Sequence, residues 1–258
     1  MHTPLRLTLL TGTAFALLTG VAAAAPAIGL SGDKTLVMFD TETLSVSGTM
    51  DVSGVDRLHG IDVRPADGML YGVTGDGKVV TIDTASGAAT VKSTLSETLS
   101  GGVSASVDFN PVADRLRIVG SDGTNLRANV DDGAVTVDGK LAYDAADMHA
   151  GEAPNIVAVA YTNSVGKPEK TAMYDIDATI GGLIQQAPPN DGVLKAIGKL
   201  GVTGADTYAL DISATADLQN TAWLIAGKTL HTIDLTTGAA TAIGDIEAEA
   251  LRDLAILP

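Results

Sequence analysis

Two sets of residues in this chain have types and spacing that could do chemistry. The stretch YDAADMHAGE brings Asp144, Asp147, His149 and Glu152 close together. An imidazole among carboxylates is a donor set for a divalent cation, so these four are candidate metal or ligand residues. Asp62, Asp108, Asp211 and Asp253 form the second set. They sit in the short apolar runs GIDVRP, SVDFNP, ALDIS and LRDLAI, and Ala160 takes the matching place in VAYTN. Carboxylates gathered at an axis would need a cation between them, because like charges disfavour one another's ionisation. The same carboxylates could instead accept hydrogen bonds from neighbouring backbone. Repetition favours the backbone role, since a binding site usually breaks the symmetry of a repeat. His59 and Arg57 precede the first of these aspartates and Arg252 precedes the last, so they could pair with the carboxylates.

Other chemistries find less support. GVTGDGKV has Gly72, Gly77 and Lys78 at phosphate-loop spacing, but Val79 stands where a magnesium-binding hydroxyl belongs. AWLIAGKT has Gly227, Lys228 and Thr229, but Ala222 replaces the first glycine. Both lie between strand-like runs, with no following helix to present its N-terminus to phosphate. SGDK, residues 31–34, matches S-x-x-K but is a short motif, and no G-x-S-x-G occurs. NVDDG, residues 129–133, matches only part of a calcium loop. The chain has no cysteine, which excludes thiolate catalysis and cysteine-bound zinc.

The elements that position these residues begin after a leader. Residues 1–24 read as a secretory signal: Arg6, an uncharged apolar run to Val21, then Ala22 and Ala24 as the small residues of a cleavage site. The expected domain is therefore 25–258, exported to the periplasm or medium, with no later run long and apolar enough to span a membrane. The formal net charge is −15, which repels phosphate backbones and makes nucleic acid a poor partner. Aromatic residues are only 3% of the chain, too few for a broad stacking surface.

A repeat organises the rest. TIDTASGAATV (81–91) and TIDLTTGAATA (232–242) nearly coincide, each with a glycine after a polar turn, Gly87 and Gly238. ANVDDGAVTV carries Gly133 and QQAPPNDGVLKAIG carries Gly192 in the same place, and MFDTETLSVSG is a fifth copy without that glycine. Pro188, Pro189, Asn190 and Asp191 thus fill a turn that other copies fill with DTASG or DLTTG. The aspartate-bearing runs and further runs such as GMLYGVT, RLRIVG, TAMYDI and TAWLIAG complete units of four strands, here termed A to D. The chain opens with B, C and D strands and ends with a lone A strand, Leu251 to Ile256. Joined, the two ends make a fifth unit. The expected fold is an all-β five-bladed propeller, closed by pairing N-terminal strands with the C-terminal strand. Any helix is expected in loop turns such as 143–152.

GIDVRPADGMLYGV, VDFNPVADRLRIVGSDGTNLRANVDDG, AYTN and QQAPPNDG together resemble the uncharacterised bacterial family named domain of unknown function 4394, over roughly residues 30 to 257. The resemblance implies a secreted, propeller-like protein and supplies no catalytic residues. The function expected is that of an exported, non-catalytic propeller binding a ligand or protein partner through one loop face. Residues 93–104, 140–155 and 199–208 are the loops expected to do so. A metal-dependent hydrolase using a divalent cation and a cell-surface or matrix module are the alternatives.

Overall fold

The computed structural model describes residues 25–202 and 204–258. The expected leader, residues 1–24, lies outside them, as does Thr203. Strands β1 (Pro26–Ser31), β2 (Thr35–Asp40) and β3 (Val46–Asp51) come first. Blade one follows as β4 to β7: Leu58–Val63, Leu70–Thr74, Lys78–Ile82 and Ala89–Thr94. Blade two is β8 to β11: Ala105–Asn110, Arg115–Gly120, Asn125–Ala128 and Val135–Val137. A short β12 (Ala142–Tyr143) precedes blade three, β13 to β16: Ile156–Tyr161, Met173–Asp177, Gly182–Gln186 and Val193–Lys199. Blade four is β17 to β20: Tyr208–Ala214, Asn220–Ala226, Thr229–Ile233 and Ala240–Asp245. The chain returns as β21 (Leu251–Ile256), which lies beside β1 in the order β21-β1-β2-β3.

The five-bladed propeller is therefore present, closed as the sequence suggested. β21 and β1 are antiparallel, with Ala27 opposite Ile256 and Leu30 opposite Asp253. The inner strands β4, β8, β13, β17 and β21 touch in a ring. One element goes beyond the four-strand unit: β12 pairs in parallel with β16 and gives blade three a fifth strand. Residues 144–151 form turns, and the sole helical element among the described residues is a 3-10 turn at Pro189–Asp191.

Each blade has two apolar faces because its strands are covered on both sides, and the core divides into five clusters, one per seam. Phe39, Trp223 and Leu254 pack between blade four and the closing blade. Ile28, Leu58 and Ile61 pack between the closing blade and blade one, and Tyr71, Phe109 and Ile118 between blades one and two. Val119, Val159 and Met173 fill the next seam, and Ile176, Leu210 and Leu224 the last. Burying each large aliphatic side chain contributes about 1.5–3 kcal/mol, so the seams hold a ring that has no disulfide.

The C–D turns explain the repeated glycine. Asp83 and Asp234 each accept a backbone N–H two residues on, from Ala85 and Thr236 at 2.8 Å. The turn then closes on a residue with positive φ: 72° at Gly87, 76° at Gly133 and 79° at Gly238. The fifth copy keeps the same backbone without glycine, with Leu44 at φ 59° and its N–H bonded to Asp40 O at 2.9 Å.

Candidate functional site

Each A strand is the inner edge of its sheet, so a row of its backbone groups faces the axis with no partner strand. The axial aspartates satisfy that row. Asp62 Oδ2 accepts from the N–H of Phe109 in the next blade at 2.7 Å. Asp108 Oδ1 accepts from Tyr161 at 3.0 Å, and Asp211 Oδ2 from Ile256 at 2.5 Å. Blade three and the closing blade place Ala160 and Ala255 at this level. The amides those alanines leave unserved belong to Ile212 and Val63. Asp211 Oδ1 takes the first at 2.5 Å and Asp62 Oδ1 takes the second at 2.7 Å. Five inward amides thus meet five of six carboxylate oxygens, and Asp108 Oδ2 is the sixth.

Asp253 stands elsewhere. Alignment of the runs puts it level with the other three, but its bonds place it two residues earlier, beside Gly60 and Ser106. Its Oδ2 accepts from the Ile61 N–H at 2.8 Å and its Oδ1 from the Ser106 hydroxyl at 3.3 Å. Ser106 Oγ in turn accepts from the Val159 N–H at 3.1 Å, continuing the link to blade three. Gly60 makes room for this: a Cβ there would lie 2.4 Å from Asp253 Oδ2.

Asp62, Asp108 and Asp211 are all buried, and one oxygen of each lies within 4.8 Å of the others. Among the described residues this is the trio of acidic or histidine ligands that could share a cation. Burial pushes Asp62 well above the usual carboxylate range, and Asp211 adds to the effect. Asp108 is raised by burial, then by Asp62 and Asp211. Burial raises Asp211 to about 6 and Asp253 to about 8, in each case against the backbone amides that favour the charged form. Three ionised carboxylates cannot share this space unaided; a proton or a cation must lie among them.

At the end of the axis where the A–B loops lie, the ring opens into a cavity of about 640 Å³. Asp62 and Asp211 line it, with Ser164, Ser213, Asn220 and Trp223. No lysine or arginine is among its lining residues. The loops expected to bind, 93–104, 140–155 and 199–208, are D–A connections and lie at the opposite end. Arg252 sits at that far end, where its guanidinium donates to the carbonyls of Gly32 (2.7 Å), Asp33 (3.3 Å), Leu58 (2.6 Å) and His59 (2.8 Å), fastening β21 to the closing blade and to blade one.

The second candidate set is spread over backbone tasks. Asp147 accepts from the N–H groups of His149 and of Ala196 on β16, at 2.9 and 2.8 Å. Asp144 accepts from Ala146 at 2.9 Å, and His149 Nδ1 lies 3.0 Å from Glu152 Oε2. The Asp147–Ala196 bond ties the loop to β16 of blade three, and the others stay within the loop.

The Pro-Pro-Asn-Asp-Gly turn does something the sequence did not disclose. Arg117, whose side chain is only 1% exposed, reaches it across the seam. Its NH2 group donates to Asn190 Oδ1 at 2.7 Å, while the guanidinium also bonds Tyr161, Asn125 and Asp138. Asn125 and Gln186 both donate to the carbonyl of Pro189. The turn is a clasp between blades two and three. An arginine inside the apolar run RLRIVG was the available signal, because such a charge must find partners when buried.

The family model described as "Domain of unknown function (DUF4394)" matches residues 35–255. No curated protein matches the chain. Among solved structures, a structural genomics protein of unknown function from Bacteroides thetaiotaomicron VPI-5482 has a TM-score of 0.54 at 16% identity, over 91% of this chain and 65% of that one. The chain therefore spans just under two thirds of that protein's length. A chain of the nidogen/laminin complex gives 0.53 at 8% identity, over 92% of this chain and 99% of that one. An auxiliary nutrient binding protein from Bacteroides thetaiotaomicron VPI-5482 gives 0.45 at 14% identity, over 74% and 53% of the two chains. At these identities the likeness speaks to the fold alone.

Proposed function

The chain belongs to the DUF4394 family, and from the geometry of its axis we propose that it is an exported, non-catalytic propeller that binds a positively charged ligand through the face where the A–B loops open. The observation that carries this reading is the cavity of about 640 Å³ with Asp62 and Asp211 in its wall and no basic residue around it. A cationic group entering there would meet carboxylates already oriented by backbone amides. A divalent cation or an organic amine offers that chemistry.

A metal-dependent hydrolase is the second reading, favoured by the Asp62, Asp108 and Asp211 trio. Those three residues would hold the ion, which would supply Lewis-acid activation of a bound water. Asp144, Asp147, His149 and Glu152 remain the alternative donors of the outer loop.

Trp223 is the only tryptophan in the chain and lines the cavity, so its fluorescence reports on occupancy. Calcium chloride and, separately, putrescine are titrated into the protein lacking residues 1–24. A saturable change that Asp62→Asn removes supports the cationic-ligand reading. Stoichiometric metal in natively purified protein, lost in the same variant, moves the weight to the hydrolase. No response to either probe, with a protein recovered from the envelope on the face of residues 93–104, overturns the choice of face.

A further inference from the structure

A polar pair lies beneath the clasp at the seam of blades two and three. Asp175, on β14, is wholly buried, and neither carboxyl oxygen has a hydrogen-bond partner. Both oxygens are shut off from bulk solvent. Gln186, on β15, is buried too. Its Nε2 donates to Pro189 O at 2.7 Å, so Oε1 is the acceptor left over, and it has no donor. Met173 pairs with Gln186 and Asp175 with Ile184, so Asp175 and Gln186 are diagonal neighbours on one side of the blade. That side faces blade two, as the packing of Met173 and Ile184 with Val119 shows. At the diagonal separation of about 7–8 Å a long side chain such as Gln186 can extend toward its neighbour. An ionised carboxylate here would be buried with nothing to bond it, among the costliest arrangements a fold can hold. A protonated carboxyl supplies the single donor that the pair lacks.

We propose that Asp175 is a neutral carboxylic acid donating its proton to Gln186 Oε1, and that this bond makes the seam between blades two and three sensitive to alkali. The charged and titratable groups around it are Arg117 on β9, Asp138 bonded to that arginine, Tyr161 on β13, Tyr143 on β12 and Asp177 on its own strand. Burial lifts Asp175 well above its ordinary value of 3.8; Arg117 opposes the lift and Asp177 adds to it. Tyr143 and Tyr161 are raised by burial as well. Asp138 lies low because Arg127 and Arg117 outweigh its burial. The contribution of Asp175 is complete below the unfolded value and is lost as pH rises through the folded one. Above that point a carboxylate faces the carbonyl oxygen of Gln186. A cleft of about 330 Å³ lined by Asn110, Tyr161 and Pro189 already runs between the two blades there.

The inference does not depend on what the axial cavity binds. Its test is the melting temperature of wild type and Asp175→Asn between about pH 5 and pH 9. In the variant an amide N–H replaces the acid proton, so the protein should melt at or above the wild-type temperature and lose about one proton from its pH slope. A variant that melts lower at every pH with an unchanged slope would show Asp175 to be an ionised partner of Arg117, and the proposal would fall. If Asp175→Asn does not fold, Gln186→Leu replaces it. The acid–amide bond exists only while Asp175 is protonated, so the deficit of Gln186→Leu should narrow as pH rises. A deficit constant across the range overturns the proposal.

Discussion

Leu44 lies against Gly244, and the pair reverses an arrangement used around the rest of the rim. In blade two the small residue is in the C–D turn: a Cβ on Gly133 would lie 2.0 Å from Thr94 O on blade one. In the closing blade the turn residue is large and the glycine has moved to β20 of the neighbour, where a Cβ would come 2.5 Å from Leu44 Cδ1. Gly244→Ala should therefore destabilise by about 1–3 kcal/mol through overpacking. Shortening the partner in Leu44→Ala/Gly244→Ala should recover part of that loss. Urea denaturation of the two single variants and the double gives the coupling, and strict additivity would show that the contact carries no energy.

Removing residues 251–258 takes away the inner strand of the closing blade and the Arg252 staple together. The axial edge of β1 and the Ile61 amide lose their partners. The truncated chain should lose cooperative unfolding, or melt many degrees below the intact one, in a calorimetric scan. A truncated chain that melts with the intact protein would show that the ring is held by its seams alone.

The axial carboxylates set a pH dependence of their own. Their folded values are raised, so the stability they contribute is complete below 3.8 and drains away as pH climbs, through about 6 for Asp211 and about 8 for Asp253. The melting temperature should fall steadily across neutrality. Asp108→Asn keeps an oxygen for Tyr161 and removes one charge from the trio, so it should melt higher than wild type above about pH 7. Added calcium should raise the wild-type melting temperature more at about pH 8 than at about pH 5, because a cation must displace protons there. A melting temperature indifferent to calcium at both pH values assigns the ring to ring closure alone.

Asn190→Ala removes one acceptor of the buried Arg117 guanidinium at the exposed end of the clasp, where water can take its place in part. The expected loss is about 0.5–1.5 kcal/mol in chemical denaturation. Pro188→Ala and Pro189→Ala should leave the fluorescence titration of Trp223 unchanged, because the clasp lies away from the axial cavity. An altered titration would place this turn in binding.

Much of the ring was legible in the chain because its turns repeat. Gly87, Gly133, Gly192 and Gly238 mark the same corner, and a corner leaves a composition that strands do not. Leu44 shows the limit, for the left-handed turn survives there without its marker. The offset of Asp253 was invisible for a different reason. Side chains alternate with a period of two, so a two-residue shift in LRDLAI returns the same face to the axis and changes no pattern. β12 is only two residues long and has no periodicity to read. Asp144, Asp147, His149 and Glu152 are neighbours in sequence, but turn geometry sends the Asp144 and Asp147 carboxylates to backbone amides and leaves Glu152 with His149. The aspartates that do converge lie far apart in the chain, and only closure of the ring brings them together.

β1 and β21 run antiparallel, with Ala27 opposite Ile256 and the Leu257 N–H bonded to Pro26 O at 2.8 Å. Both strands therefore leave the sheet from the same edge. Tension applied at residues 26 and 257 would load these bonds one after another, as a zipper, instead of all at once in shear. The ring is thus mechanically soft along one direction, and force drawn through that edge would peel the closing blade first.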